Sequence, residues 1–383
     1  QSQPIQPEFV PGTVPIGTSQ DFYSWDEING QWFNSKDLTG NWVSVFETNF
    51  EPGKGYLTAY QNDVTKTFSG ELTAYDVPRP SLTYTPGPNY TGDITPGWNL
   101  LGNPYSCAIT WFSGWSTSNI DGVAKIWKES TASYIDVNAG GIIPATQGFM
   151  VQVLSASGES LTIPLTARTH DAQPWYKLSG NPTIKLIAHN PGAKTAQESV
   201  VYFNTQALTG FDPGFDSHFL PGYAPAFYSL KGNDKLSTKV LPVLDGETTV
   251  PFSFVKTAGS EFSIEAAQIE NFAGQVYLTD LKLDYTQNLN ENPVYNFTAA
   301  DGDDPARFLL SFGHVGIGEK SRDNPVIYTY ENNLYLVNPG NARLEVFSLT
   351  GQQLLISEIN NPGLHKVTLG FPTGYYVVRL TTG

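Results

Sequence analysis

Short runs in which apolar and polar residues alternate recur along the chain, each bounded by Gly, Pro, Asn or Asp. Residues 184–188, 198–203, 235–244, 262–265, 276–280 and 307–312 carry this pattern. A side-chain period of two exposes one face and buries the other, so these runs predict strands, at intervals suited to a sandwich of about eight strands in two sheets. Further on, residues 344–350 are read with Val346, Ser348 and Thr350 on one face and Leu344, Phe347 and Leu349 against them, before a turn at Gly351. Pro372 and Gly374 then lead into Tyr375, Tyr376, Val377 and Val378, all strong strand formers. The 36 Gly and 27 Pro are scattered rather than clustered, which fits many tight turns and an all-β chain.

A motif occurs twice in the first 170 residues. In one copy Trp25 precedes Trp32, and Pro52-Gly53-Lys54-Gly55-Tyr56 comes after them. In the other, Trp127 precedes Tyr134 at the same seven-residue spacing, and residues 144–153 supply the Pro-to-Gly turn and aromatic strand. The second copy has a lead-in at residues 97–104 that the first lacks; the expectation is that the missing lead-in lay upstream.

Three blocks near the C-terminus fall in a telling order: Asn338-Pro339-Gly340-Asn341, the strand from Val346 to Gly351, and Phe371-Pro372-Thr373-Gly374-Tyr375-Tyr376. Together they resemble the C-terminal sorting domain of cargo for the type IX secretion system of Bacteroidetes, with Phe371 in place of the usual Leu. Members of that family usually continue into a Lys-containing final strand, whereas this chain stops at Gly383. Residues 97–104 and 119–127, and the segments 292–299 and 302–308, resemble β modules that precede the sorting domain in large surface proteins of the same bacteria. The resemblance implies an immunoglobulin-like tail and a cell-surface or extracellular location. It also implies outer-membrane translocation machinery as a partner and, commonly, removal of the tail by a sortase-like peptidase.

The expected organisation is all-β and multidomain. A duplicated β module occupies 1–173, a jelly-roll or immunoglobulin-like sandwich 174–313, a linker 314–325, and the sorting domain 326–383.

The formal net charge of −15, with no Lys/Arg cluster to reverse it, excludes nucleic acid and anionic lipid as partners. No apolar run is long enough to span a membrane. Cys107 is the only cysteine, so there is no intrachain disulfide, and nothing near it in sequence supplies a base.

Candidate chemistry is sparse. His170, His189, His218, His314 and His365 are dispersed, without zinc-hydrolase spacing. Ser253 and Lys256 spell a Ser-x-x-Lys motif in a strand pattern, which turns the two side chains to opposite faces. Residues 313–318 spell a Gly-x-x-Gly-x-Gly run with no helix after it.

Asp212 and Asp216, and Asp301, Asp303 and Asp304, lie in Gly-containing loops whose carbonyls could complete a calcium site; the alternative is that they cap turns. No other cofactor is expected. Trp111, Phe112 and Trp115 sit in a Ser/Gly-rich stretch and are the candidate binding aromatics. The expected role is non-catalytic display and adhesion, with glycans or surface proteins as further partners. Against it stand a carbohydrate-binding module of a secreted hydrolase, and a hydrolase using the loop carboxylates.

Overall fold

The computed structural model describes residues 20–34, 51–60, 71–79, 82–86, 94–112, 114–156, 159–170, 182–208, 210–213, 215–242, 248–272, 274–313, 325–330, 332–337, 340–360, 363–372 and 374–382. The linker expected at 314–325 falls almost wholly outside them, as do Trp42, Trp175 and His314. The regular structure of the described residues is strand apart from one short 3-10 turn, so the protein is all-β. The chain divides into two compact units, residues 1–179 with 212–223, and residues 180–211 with 224–383.

In the first unit the two residue pairs of seven-residue spacing each lie across a hairpin. Gln20–Asp26 pairs with Gln31–Asn34, placing Trp25 opposite Trp32, and Ala124–Lys128 pairs with Ser133–Val137, placing Trp127 opposite Tyr134. Each hairpin turns through a residue of positive φ, Gly30 at 60° and Ala132 at 52°. Their N–H groups donate to the Glu27 and Glu129 carbonyls respectively, both at 3.2 Å. Each copy then adds a strand at the same place: Leu57 pairs with Tyr23, and Met150 with Lys125.

Trp98–Gly102 serves both copies. It pairs with Gly148–Gln152 along its length and bridges to Lys54 through Leu101. The core beneath includes Ile109, Trp111, Ile126, Phe149 and Ile163, all buried. Lys125 is buried as well, in an ion pair with Asp136, its cross-strand partner; it also donates to Ser217 Oγ at 3.1 Å and lies 5.5 Å from the centre of the Trp98 ring.

The second unit carries one long sheet. Its strands run in the order Tyr285–Asn288, Gln275–Asp280, Phe308–Gly313, Thr248–Val255, Ala226–Lys231, Asp234–Leu241, Thr195–Phe203, Thr183–Asn190, Glu261–Glu270 and Val294–Thr298. All these pairings are antiparallel except that between Thr195–Phe203 and Asp234–Leu241. A register shift at Lys185/Leu186 bends one pairing.

The first and last strands of the order are close in sequence, and Tyr285 stacks on Tyr295 with ring centroids 5.8 Å apart, so the sandwich nearly closes on itself. Its interior is aromatic, with Phe227 stacked on Phe252 and Phe254 packed edge-on to Phe297. Arg307 is buried among these rings, 4.8 Å from the centre of Phe297. Asp280 receives it through two hydrogen bonds of 3.0 and 2.7 Å and also accepts from the Tyr295 hydroxyl at 2.9 Å.

Between residues 326 and 382 the described strands form two three-stranded sheets and, among the described residues, pair only with one another. One holds Val326–Tyr330, Asn333–Val337 and Leu364–Thr368; the other holds Gln353–Ile359, Ala342–Ser348 and Tyr376–Thr382. Leu334, Leu336, Leu344, Val346 and Ile359 fill the space between. Leu344 and Val346 thus share the inner face, contrary to the facing read from the sequence. Residues two apart in a strand point the same way, and a register shift at Val346/Phe347 displaces the residues beyond it. Gly351 makes the expected turn, with φ 86°.

Candidate functional site: aromatic and acidic surfaces

Trp111 is a core residue with no ring face exposed. Its Nε1 donates to the Gly122 carbonyl at 2.8 Å, and its ring packs edge-on to Trp115 at 4.8 Å and Phe149 at 5.6 Å. Phe112, held at φ 62°, and Trp115, whose Nε1 donates to the Thr110 carbonyl at 3.0 Å, are half-buried against the same cluster. A Ser/Gly-rich stretch looks open in sequence; here its large rings pack against the core cluster.

The candidate carboxylates are tied to neighbouring groups. In the first unit, Asp216 is buried and accepts the Asp212 N–H at 3.0 Å, while its own N–H returns to the Asp212 carbonyl at 2.8 Å, a turn closed by its own side chain.

In the second unit Asp301 receives Lys256 Nζ at 2.6 Å. Asp303 receives Lys282 Nζ at 2.7 Å and the Ala300 N–H at 2.9 Å. The Lys282 hydrogen bond, helped by that N–H, holds the Asp303 carboxyl below the usual carboxylate range. Asp304 accepts Lys366 Nζ at 2.9 Å, the Tyr335 hydroxyl at 3.3 Å and the Ala306 N–H at 3.0 Å, which fastens the C-terminal sandwich to the loop before it. That hydrogen bond raises Lys366 above the ordinary lysine range. Among the described residues no group of three or more His, Cys, Asp or Glu side chains is placed to hold a metal ion.

The structure assembles a different aromatic surface, one absent from the sequence-based candidates. Trp127 and Tyr134 meet edge-on with centroids 5.1 Å apart. Tyr223 joins them from the Asp212–Tyr223 segment, its ring 5.9 Å from that of Trp127 at an angle of 88°. Tyr134 is buried, which pushes its phenol pKa up. Trp127 is half-buried and donates from Nε1 to Glu129 Oε2 at 2.7 Å. The seven-residue spacing signalled the two hairpins, but nothing local signals that Tyr223 folds back onto one of them.

Residues 132–312 match a family model described as a domain of unknown function, DUF8693. The chain is also similar to the minor fimbrium subunit Mfa5 of Porphyromonas gingivalis, 25% identical over 422 aligned residues covering 92% of this chain and 33% of that protein. The chain thus spans about a third of the length of the curated relative it matches. No solved structure matches it. Similarity to a fimbrium subunit of this bacterium indicates an extracellular or cell-surface location. Among the described residues no helix is long and apolar enough to cross a membrane.

Proposed function

We propose that this chain is the non-catalytic, C-terminal portion of a cell-surface adhesion protein, exported through a type IX secretion system by residues 326–383. The observation that carries the export reading is the self-contained pairing of the tail: its strands build their own two sheets and core. Such a unit can be presented to a translocation machine without opening the sandwich in front of it. Of the blocks that carry the resemblance, residues 346–348 lie on a strand, Gly351 is at a hairpin and Tyr376 starts the last strand described, while Asn338, Pro339 and Thr373 lie outside the described residues. The similarity to a fimbrium subunit supports surface assembly and adhesion as the working context. The engagement of the Asp216, Asp301, Asp303 and Asp304 carboxylates by a cation or a backbone N–H supports a structural role over a hydrolytic one.

Deletion of residues 326–383 in a type IX-competent host tests the reading. The truncated protein should accumulate in the periplasm while the intact one reaches the surface. Unchanged surface display of the truncated protein would reject it.

A further inference from the structure

The two copies of the hairpin module have diverged at one turn position, and the divergence marks a surface. In the first copy the turn glutamate, Glu27, is buried: its carboxylate accepts the Thr85 N–H at 2.8 Å, the Thr85 hydroxyl at 2.8 Å and the Gly97 N–H at 3.1 Å. In the second copy the corresponding Glu129 is exposed, and its carboxylate accepts a hydrogen bond from Trp127. One glutamate is consumed by the fold; the other faces solvent beside a tryptophan whose ring it steadies.

Tyr223 completes this corner, and it is held there rigidly. Its N–H donates to the Ala132 carbonyl at 2.9 Å. Gly222 lets the backbone press against the hairpin, since a Cβ there would stand 2.6 Å from the Ala132 carbonyl oxygen and 3.0 Å from Trp127 Cζ3. Yet the Tyr223 side chain remains 77% exposed. A large ring left in water contributes little to folding, whereas with only two side-chain torsions it loses little freedom on meeting a ligand.

We propose that Trp127, Tyr223 and Glu129 form a binding site for a neutral oligosaccharide. A pyranose presents a face of C–H groups that suits an aromatic ring's electron-rich face, and vicinal hydroxyls that suit a carboxylate acceptor; this corner offers both within one turn. Glu129 and the chain's net charge of −15 disfavour phosphate, sulfate and acidic sugars. A carboxylate hydrogen-bonded to the patch's tryptophan also disfavours a protein partner, because charged residues are depleted at the core of such interfaces. The inference deepens the adhesive reading and rests on it, but not on the export route.

The test is a glycan array of neutral plant, fungal and mucin-type oligosaccharides probed with the purified chain, followed by titration calorimetry on the best binder. Tyr223→Ala is expected to weaken binding at least about tenfold, and Glu129→Gln by several-fold. Tyr375→Ala, at another exposed tyrosine, should change nothing. Each variant is checked for an unchanged Tm, which the exposure of Tyr223 and Glu129 predicts. An array without signal, or full affinity in Tyr223→Ala, overturns the site. Because the assay uses purified protein, either result leaves the export reading where it stood.

Discussion

Trp127 stands directly across the hairpin from Tyr134, and one module earlier Trp25 stands across from Trp32 in the same register and the same edge-to-face geometry, at 5.3 Å and 72° against 5.1 Å and 71°. Cross-strand aromatic pairs of this kind stabilise a hairpin that is otherwise marginal alone. Tyr134→Ala should therefore cost the first unit about 3 kcal/mol or more, as removal of a buried ring does, while Tyr134→Phe, which keeps the ring, should cost no more than about 1 kcal/mol. Urea unfolding followed by tryptophan fluorescence measures both. Equal losses in the two variants would show that the hydroxyl, not the ring, carries the contribution.

Asp303 makes the second unit sensitive to acid in a defined direction. The hydrogen bond from Lys282, then that from the Ala300 N–H, depress its carboxyl in the folded state. The unfolded carboxyl has a pKa of about 3.9, so the stabilisation is present in full above that value and is lost as pH falls through the lower, folded one. Asp303→Asn should lower the urea midpoint at neutral pH, and its gap from the parent should close progressively below about pH 4. A gap that stayed constant from pH 7 to pH 2 would mean that the charge on Asp303 is not what matters.

Much of this architecture is legible in local sequence because alternation is a local property. The strands at 184–188 and 276–280 are seen where a period of two places them, within Thr183–Asn190 and Gln275–Asp280. The repeat is legible for the same reason: a seven-residue spacing across a tight turn dictates a cross-strand pair. What local pattern cannot carry is who covers whom. Trp111 lies in a stretch of small polar residues, and only the packing of Trp115 and Phe149 around it makes it core. Tyr223 is remote in sequence from Trp127 and reaches it because the Asp212–Tyr223 segment belongs to the first unit. Lys366 and Asp304 meet across 62 positions of chain with no mutual signal in either neighbourhood.

Two glycines that look alike in sequence should respond very differently to a methyl group. Gly55 lies against the strand shared by both hairpin modules, donating its N–H to the Leu100 carbonyl at 3.2 Å. A Cβ on it would sit 2.2 Å from the Leu101 carbonyl oxygen and 2.6 Å from Leu100 Cγ, and the first of these is backbone that cannot swing away. Gly351, by contrast, turns the tail hairpin at φ 86° with nothing within 4 Å of the added atom. Its substitution meets only the intrinsic cost of a left-handed backbone, about 1 kcal/mol, whereas overpacking at Gly55 should cost about 3 kcal/mol and loosen the seam between the modules. Urea midpoints of Gly55→Ala and Gly351→Ala, each read on its own unit, give the comparison. If Gly351→Ala proved the more damaging, close approach at the shared strand would not be what holds the two copies together.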